Sequence, residues 1–292
     1  MYVNIDSKQY EILKNFMRKP WRKLVFSMKK AKVELFSINA KVNPEPIFVL
    51  GNQKSGTSAI AALLASATGL SVSVDLSKEW LYKRKVYLLV KESQMSFSEF
   101  IERNKLDFSR DIIKEANLTI FFDELTQYFP KAKFVFVVRD PRTNIRSILN
   151  RVGVPGNLDS LTNWSQKPHI PLGWEKVING KWLGLDGDNY ISMLAQRWNF
   201  MTEIYLNNKE NFVLTRYEDF VEDKVGEISR IANKLSLTPN YDISSKINIQ
   251  YQPKGKNDVS IQSFYNKANL DRIEQTCHRH MKSIGYKHNI YS

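Results

Sequence analysis

The chain has 292 residues, 42% hydrophobic and 12% aromatic, a composition that excludes a wholly disordered protein and is enough for a large α/β domain. The net charge of +13 favours an acidic partner such as nucleic acid, an anionic membrane or a nucleotide. Cys277 is the only cysteine, which excludes an intrachain disulfide, and no apolar run is long enough for a signal peptide or a membrane span. These features predict a cytoplasmic protein.

Residues 1–45 are predicted to form a basic helical extension. Between Lys8 and Lys32 there are nine basic residues and one acidic residue, Glu11, while apolar residues recur every three or four positions. This pattern predicts an amphipathic helix, interrupted or restarted at Pro20. Two roles remain open: the apolar stripe packs on the core, or residues 8–32 make a peripheral contact with an anionic membrane.

The rest of the site depends on residues 46–64. Their sequence predicts a strand, a tight turn and a helix. Residues 47–50 are all apolar, the turn reads GNQKSGTS, and an Ala- and Leu-rich segment follows. Such a junction directs backbone N–H groups and a helix N-terminus at an anion. Gly51 and Gly56 allow close approach of the backbone, while Thr57 and Ser58 add hydroxyl donors.

Strands and helices alternate through the rest of the chain. Further strands are predicted near residues 72–74, 111–115, 133–138 and 212–215, and helices near 118–128, 141–151, 189–206, 225–235 and 266–284. This order predicts an α/β fold in which residues 46–292 form a single domain, a parallel sheet with helices on both faces. Residues 153–187, rich in Gly, Pro and Trp, are predicted to be an insertion that forms a lid or an acceptor pocket.

Basic residues stand where three of the predicted strands end. Lys54 follows the first strand, Lys114 lies in the strand at 111–115, and Arg139 follows the strand at 133–138. Because ligands of open parallel sheets bind at the carboxyl ends of the strands, we expect these side chains to share one site. Three further arginines on the next helix are interpreted as solvated charges: Arg142, Arg146 and Arg151.

The turn departs from a Walker A loop, since Thr57 rather than lysine follows Gly56, and the lysine stands two residues earlier. The order K-S-G-T-S resembles the phosphosulfate-binding loop of sulfotransferases, which use 3′-phosphoadenosine 5′-phosphosulfate (PAPS). The resemblance implies a P-loop-like fold and a metal-independent in-line transfer, with Lys54 beside the oxygen of the leaving phosphate. It assigns the 5′-phosphosulfate to the residues of this loop: Gln53, Lys54, Ser55, Gly56, Thr57 and Ser58.

Later segments extend the resemblance to bacterial and tyrosylprotein-type sulfotransferases. In that family a strand ends in an arginine with a serine eight residues later, which implies a 3′-phosphate site at Arg139 and Ser147 in FVFVVRDPRTNIRS. Lys114 matches a lysine that reaches the transferring sulfuryl group, and Tyr217, in FVLTRYEDF, matches a tyrosine beside the adenine. A basic C-terminal loop that closes over the 3′-phosphate has one candidate run here: Lys254, Gly255 and Lys256.

A general base must take the proton of the acceptor. In tyrosylprotein-type enzymes this base is a glutamate beyond the loop, and the corresponding step of 21 residues from Lys54 leads to Asp75. Glu79, one helical turn later, and His169, in the insertion, are the alternatives.

The predicted acceptor is a small molecule with a hydroxyl or an amine, not nucleic acid. Trp164, Trp174 and Trp182, in the insertion, would either wall an aromatic or cationic acceptor or anchor the loop. No metal is expected, because the four histidines and one cysteine do not form a ligand set.

Two other functions compete with sulfuryl transfer. A nucleotide kinase or NTPase would use Asp140 at the end of VFVVRD for magnesium, although the lysine expected after Gly56 is missing. A non-catalytic protein that binds nucleic acid or membranes through its basic N-terminus would keep its salt-dependent binding after loss of Lys54.

Overall fold

The structure of the protein is a computed structural model that describes residues 25–81, 86–161, 170–251 and 259–287. The chain divides into two compact units, one within residues 1–42 and 76–109 and the other within 43–75 and 110–292. The second unit, here the sheet unit, contains the whole sheet. The predicted division at residue 45 and the predicted lid over 153–187 stay predictions.

Five parallel strands form one sheet in the order β2-β3-β1-β4-β5. The parallel α/β sheet predicted from the sequence is confirmed. The strand bounds are β1 Ile47–Gly51, β2 Val72–Val74, β3 Ile112–Lys114, β4 Lys133–Val138 and β5 Phe212–Arg216.

Helices cover both faces of the sheet. In the sheet unit the helices are α2 Thr57–Thr68, α7 Phe122–Tyr128, α8 Pro141–Val152, α9 Leu172–Ile178, α10 Tyr190–Asn207, α11 Tyr217–Glu222, α12 Lys224–Lys234, α13 Ile261–Phe264 and α14 Lys267–Ser283. Within the described residues three 3-10 helices join them, at Ala116–Phe121, Gly180–Leu183 and Lys209–Asn211. The single helix expected at 118–128 is therefore a 3-10 turn followed by α7, because the Glu115 side chain accepts the Asn117 N–H and opens a tight turn there.

The other unit is helical in the part of it that the structure describes. Its helices are α1, described over residues 25–38, then α3 Ser77–Leu81, α4 Val86–Lys91, α5 Phe97–Arg103 and α6 Lys105–Phe108. Side-chain caps fix several of these short helices. Ser96, for example, accepts the Glu99 N–H at the start of α5, as expected of a serine at an N-cap.

Alternate residues of the central strands face opposite layers. Val49 and Val135 pack with Ile60 and Leu64 of α2 and with Ile228 of α12 in one apolar cluster. On the other face Phe134 stacks on Phe48 and Phe136 stacks on Tyr205 of α10. Both faces of the sheet are thus buried, which is why its strands read as continuous apolar runs.

The strand order changes direction at β1: β2 and β3 lie on one side of it, and β4 and β5 lie on the other. Val49 pairs with Lys114 at the end of β3, and Gly51 pairs with Val137 near the end of β4. The carboxyl ends of these three strands therefore lie side by side, and a crevice at such a switch point is where open α/β sheets bind ligands.

Candidate active site

The turn after β1 has a backbone that few residue types can adopt. Gly51 has φ of +137°, and a Cβ there would stand 2.2 Å from the Val137 carbonyl oxygen. Gly56 has φ of +100°, and a Cβ there would meet the Tyr217 ring at 2.4 Å. Lys54 lies between them with φ of +66°, in the left-handed region that is costly for a side chain other than glycine.

Buried polar side chains hold this turn. The Thr119 hydroxyl accepts the Gly51 N–H at 2.9 Å, and the Asn52 amide donates to Asn144 Oδ1 at 3.0 Å. Asn144 in turn donates to the Gln53 carbonyl at 2.9 Å and to the Ser55 hydroxyl at 3.1 Å. All of these side chains except that of Gln53 are buried, so the backbone geometry is set before any ligand binds.

The Gln53 side chain lies along a lateral network. Its Nε2 donates to Asn117 Oδ1 at 2.8 Å, and its Oε1 accepts Arg197 Nη2 at 3.0 Å. The Asn117 amide donates to Glu115 Oε1 at 3.0 Å. Gln53 thus joins the turn to α10 and to the residue that follows β3, and its predicted contact with the nucleotide stays a prediction.

Arg139 contacts both the turn and the aromatic ring behind it. Its Nη1 donates to the Lys54 carbonyl at 3.2 Å, its Nε donates to Thr143 Oγ1 at 2.9 Å, and its Cζ lies 4.4 Å from the centre of the Tyr217 ring. The buried Trp198 donates its indole N–H to the Arg139 carbonyl at 2.8 Å. Lys54, Gly56, Arg139 and Tyr217, predicted separately, therefore lie against one another.

Positive charge is concentrated at Lys54. Burial and the positive charges of Arg151, Arg139 and Lys114, in that order, lower the pKa of Lys54 to about 8. Burial also lowers the pKa of Arg139. Cations held together in this way repel one another, and an anion between them would relieve that repulsion.

Asp75 and Lys114 form an ion pair at the carboxyl ends of β2 and β3. Lys114 Nζ contacts Asp75 Oδ1, and the Asp75 N–H donates to the Lys114 carbonyl at 2.8 Å. The Lys114 side chain is 5% exposed and that of Asp75 47% exposed. Asp75 also has φ of +65°, a second strained backbone beside the proposed site. The aspartate is therefore reachable from solvent, whereas the lysine is enclosed.

The helix α8 carries the remaining predicted phosphate ligand. Ser147 is half-buried, and Arg151, one turn later on the same face, lies with its Cζ 5.7 Å from the Trp174 ring centre. The interpretation of Arg142 as a solvated charge is wrong. Arg142 is buried and pairs with Asp140 and, at 2.9 Å, with Glu274, because the packing of α14 covers its side of α8.

The remaining predicted residues belong to the other unit, lie outside the described residues, or have a local contact of their own. Glu79 belongs to the other unit, where it is buried and its Oε2 accepts the Val86 N–H at 2.8 Å at the start of α4. His169, Trp164 and the run Lys254, Gly255 and Lys256 lie outside the described residues. Trp182 donates to the Lys176 carbonyl at 2.7 Å, the contact expected of a loop anchor.

Asp140, the residue that a kinase or NTPase would use for magnesium, is engaged elsewhere. It caps α8 by accepting the Arg142 N–H at 2.9 Å, and its carboxylate pairs with the Arg142 guanidinium. Within the described ranges no group of three or more His, Cys, Asp or Glu side chains could hold a metal ion. No described helix is both long enough and apolar enough to cross a membrane.

Sequence reasoning missed the residues that organise the site from a distance. Asn144, Thr119 and Arg197 all act on the turn from elements far along the chain. Arg151 is exposed on α8, and its charge nevertheless acts on Lys54. Only its position one turn after Ser147 signalled that it would face the same way.

The fold and this arrangement define a P-loop-like α/β protein with cationic side chains gathered at the carboxyl end of its sheet. A model of the sulfotransferase family matches residues 77–241, more than half of the chain. The chain belongs to the sulfotransferase family, as the resemblance of the loop and the β4–α8 segment predicted.

The chain is similar to several solved structures at low sequence identity. Sulfotransferase STF9 from Mycobacterium avium is 11% identical over 89% of this chain and 82% of its own, with a TM-score of 0.50. STF1 from Mycobacterium tuberculosis H37Rv is 14% identical over 85% and 81%, with a TM-score of 0.45. Mouse SULT7A1, whose structure is a complex with PAP, is 14% identical over 86% and 88%, with a TM-score of 0.46. No curated protein sequence matches the chain.

Proposed function

We propose that the protein transfers the sulfuryl group of PAPS to a hydroxyl or an amine of a small-molecule acceptor. The observation that carries the proposal is the concentration of positive charge at the carboxyl edge of the sheet, where burial and the charges of Arg151, Arg139 and Lys114 lower the pKa of Lys54. A ligand with a phosphosulfate at one end and a phosphate at the other supplies the anions that such a site favours.

The residues at this edge fit PAPS chemically. The N-terminus of α2, with its positive dipole end, would face the 5′-phosphosulfate together with the hydroxyls of Thr57 and Ser58. Arg139, just before α8, and Ser147, in the second turn of α8, would bind the 3′-phosphate. Tyr217 forms the wall behind Gly56 and would lie beside the adenine.

The transfer asks the protein mainly for position and charge. In the proposed reaction the acceptor oxygen or nitrogen bonds to sulfur as the bond from sulfur to the phosphate oxygen breaks. Lys54 stabilises the charge that develops on that oxygen, Lys114 neutralises the sulfuryl oxygens, and Asp75 takes the proton of the acceptor. The products are the sulfated acceptor and 3′-phosphoadenosine 5′-phosphate (PAP).

Calorimetric titration of the full chain with PAP, without magnesium, tests this function independently of the acceptor. Tight binding that far exceeds the binding of ATP with magnesium supports a PAPS-dependent enzyme. Absence of PAP binding to well-folded protein, or preference for ATP with magnesium, would overturn it in favour of a kinase or NTPase. The acceptor is then sought by screening phenols, alcohols and amines for release of PAP from PAPS.

The assignment of Asp75 as the base predicts the effect of Asp75→Asn. With the best acceptor from that screen, kcat should fall by about a hundredfold or more, since a lost general base costs that much. The Kd for PAP should change little, because the proposed role of Asp75 is toward the acceptor. Turnover near that of the wild type would exclude the assignment.

Because Asp75 also pairs with Lys114, a loss of turnover has a second explanation, namely a displaced lysine. The pH profile separates the two. A base gives the wild type an acidic limb in kcat that Asp75→Asn lacks, whereas a displaced lysine lowers kcat and leaves that limb in place.

The described part of the N-terminal segment favours membrane contact as an additional function. On α1 one face is fixed within its unit, where Ser37 is buried and Glu34 pairs with Lys78 at 3.1 Å. Four large apolar side chains of α1 are exposed by more than half: Met28 63%, Leu35 65%, Phe36 55% and Ile38 68%. We call these four residues the α1 face.

Charge favours a lipid surface as the partner of the α1 face. Residues 25–42 contain four lysines and one acid, the paired Glu34, and residues 1–24 are also net basic. A second copy of the chain, or its own first residues, would bring like charges together. An anionic bilayer offers apolar depth and negative charge at once. Residues 1–24, which include most of the predicted contact at 8–32, lie outside the described residues.

We therefore expect the protein to sediment with vesicles of phosphatidylcholine and phosphatidylserine, and much less with phosphatidylcholine alone. Binding should weaken as salt rises, because part of it is electrostatic. Leu35→Ser with Phe36→Ser should reduce binding, while Ile249→Ser, at an exposed apolar residue of the sheet unit, should not. Equal binding to both vesicle types, or none, would refute the membrane contact.

A further inference from the structure

One buried side chain, that of Asn144, holds the strained backbone around Lys54 in place. Asn144 lies in the middle of α8 with no exposed surface. Its Oδ1 accepts the Asn52 amide at 3.0 Å, and its Nδ2 donates to the Gln53 carbonyl at 2.9 Å and to the Ser55 hydroxyl at 3.1 Å. These three partners are the residues on either side of Lys54, so Asn144 fixes the chain before and after the left-handed residue.

Asn144 is also part of the helix that carries the other proposed phosphate site. Arg139 immediately precedes the cap of α8, and Ser147 lies three residues after Asn144. The same helix would thus bind the 3′-phosphate with Arg139 and Ser147 and hold the 5′ loop with Asn144. A rigid helix between the two sites fixes the distance between them.

We propose that Asn144 is a positioning residue that places the Lys54 loop for the 5′-phosphosulfate and keeps it in register with the 3′-phosphate site. The inference rests on the proposed function, because it assumes that PAP binds at this edge of the sheet. Asn144 itself touches no reacting atom. Its effect is on where Lys54 and the N–H groups of α2 stand.

Three nucleotides separate this role from general stability. PAP occupies both phosphate positions, adenosine 5′-monophosphate only the 5′ position, and adenosine 3′-monophosphate only the 3′ position. Asn144→Ala should weaken binding of the 5′-monophosphate by about tenfold, the scale of one or two lost hydrogen bonds, and weaken PAP by a similar factor. Binding of the 3′-monophosphate should stay within twofold of the wild type.

A matched control is available in Asn269. It too is fully buried, and its amide donates to the Gly156 carbonyl at 2.9 Å and to the Leu158 carbonyl at 2.8 Å, away from the loop. Asn269→Ala therefore loses a comparable set of contacts. It should lower thermal stability like Asn144→Ala but leave the ratio of the two monophosphate affinities unchanged.

Should Asn144→Ala fail to fold, Asn52→Ala removes one of the same hydrogen bonds from the loop side, and the same selective loss is expected in smaller measure. The kcat of Asn144→Ala is a further measurement. A displaced Lys54 should lower kcat by about a hundredfold, because small misplacements of catalytic groups have effects of that size.

The outcomes distinguish a failure of the role proposed for Asn144 from a failure of the proposed sulfotransferase function. If wild-type protein does not bind PAP, the proposed function fails. If wild-type protein binds PAP but Asn144→Ala and Asn52→Ala weaken both monophosphates equally, or weaken neither, only the role of Asn144 is overturned.

Discussion

Arg139→Ala is expected to bind PAP about a hundredfold more weakly than the wild type. The guanidinium would make charge-assisted hydrogen bonds to the 3′-phosphate, each of which is worth about 1.5–3 kcal/mol. Isothermal titration in magnesium-free buffer measures the change directly. Arg139→Lys should be intermediate, since it keeps the charge but loses the planar fork of donors.

The comparison with adenosine 5′-monophosphate makes this prediction specific. Arg139 also donates to the Lys54 carbonyl at 3.2 Å and packs on the Tyr217 ring, so its loss could disturb the 5′ loop instead. A ligand without a 3′-phosphate should bind Arg139→Ala almost as well as it binds the wild type. Equal losses for both ligands would show that Arg139 supports the loop and does not bind the 3′-phosphate.

Arg272→Ala is a suitable control for the removal of an arginine. Arg272 lies on α14 and contacts the Asp188 carboxylate at 3.4 Å, away from the carboxyl edge of the sheet. Its loss lowers the net positive charge of the chain by the same amount. PAP affinity should therefore stay close to that of the wild type, which separates the local effect of Arg139 from the general effect of charge.

The fold could be predicted because its signals are local. Apolar runs such as residues 134–138 are buried on both faces and read directly as parallel strands, and glycines mark the turn between β1 and α2. The rule that ligands lie at the carboxyl ends of strands then brought Lys54, Lys114 and Arg139 to one edge of the sheet. The order of the strands set this juxtaposition, and no motif was needed for it.

The supporting residues could not be predicted, because their roles depend on packing between distant segments. Nothing near Asn144 in the sequence marks it as a partner of the turn at 52–55, some 90 residues earlier. Arg142 and Arg151 lie on the same helix and carry the same charge. Yet the packing of α14 covers Arg142, and the position of Arg151 directs its charge to Lys54. Periodicity distinguishes helix faces but not what lies against them.

Lys54 leads to a second large effect, a loss of PAP affinity as the pH rises through about 8. Burial and the charges of Arg151, Arg139 and Lys114 place its pKa there, so at pH 7 the amine is mostly protonated and at pH 9 mostly neutral. A bisphosphate binds the protonated form better. The Kd should therefore be nearly constant from pH 7 to 7.5 and rise by up to tenfold per unit above pH 8.

The variants Lys54→Arg and Lys54→Met test the cause. Arginine keeps its charge to far higher pH, so the rise in Kd between pH 8 and 9.5 should disappear in Lys54→Arg. Methionine keeps the apolar stem without charge and should bind weakly at every pH in that range. A Kd that rises equally in wild type and Lys54→Arg would assign the titration to another group.

The same pKa gives a stability prediction with a definite sign. The pKa of Lys54 is lowered from 10.5 in an unfolded chain to about 8 in the folded protein, so the unfolded state binds the proton more tightly. Charged Lys54 therefore destabilises the free protein below pH 8, and this contribution fades as the pH rises toward 10.5. Lys54→Met should raise Tm at pH 7 while turnover is lost, and a Tm below that of the wild type would contradict the charge repulsion inferred for this site. Addition of PAP should raise the Tm of the wild type more than that of Lys54→Met, because the anion turns the repelling cations into binding partners.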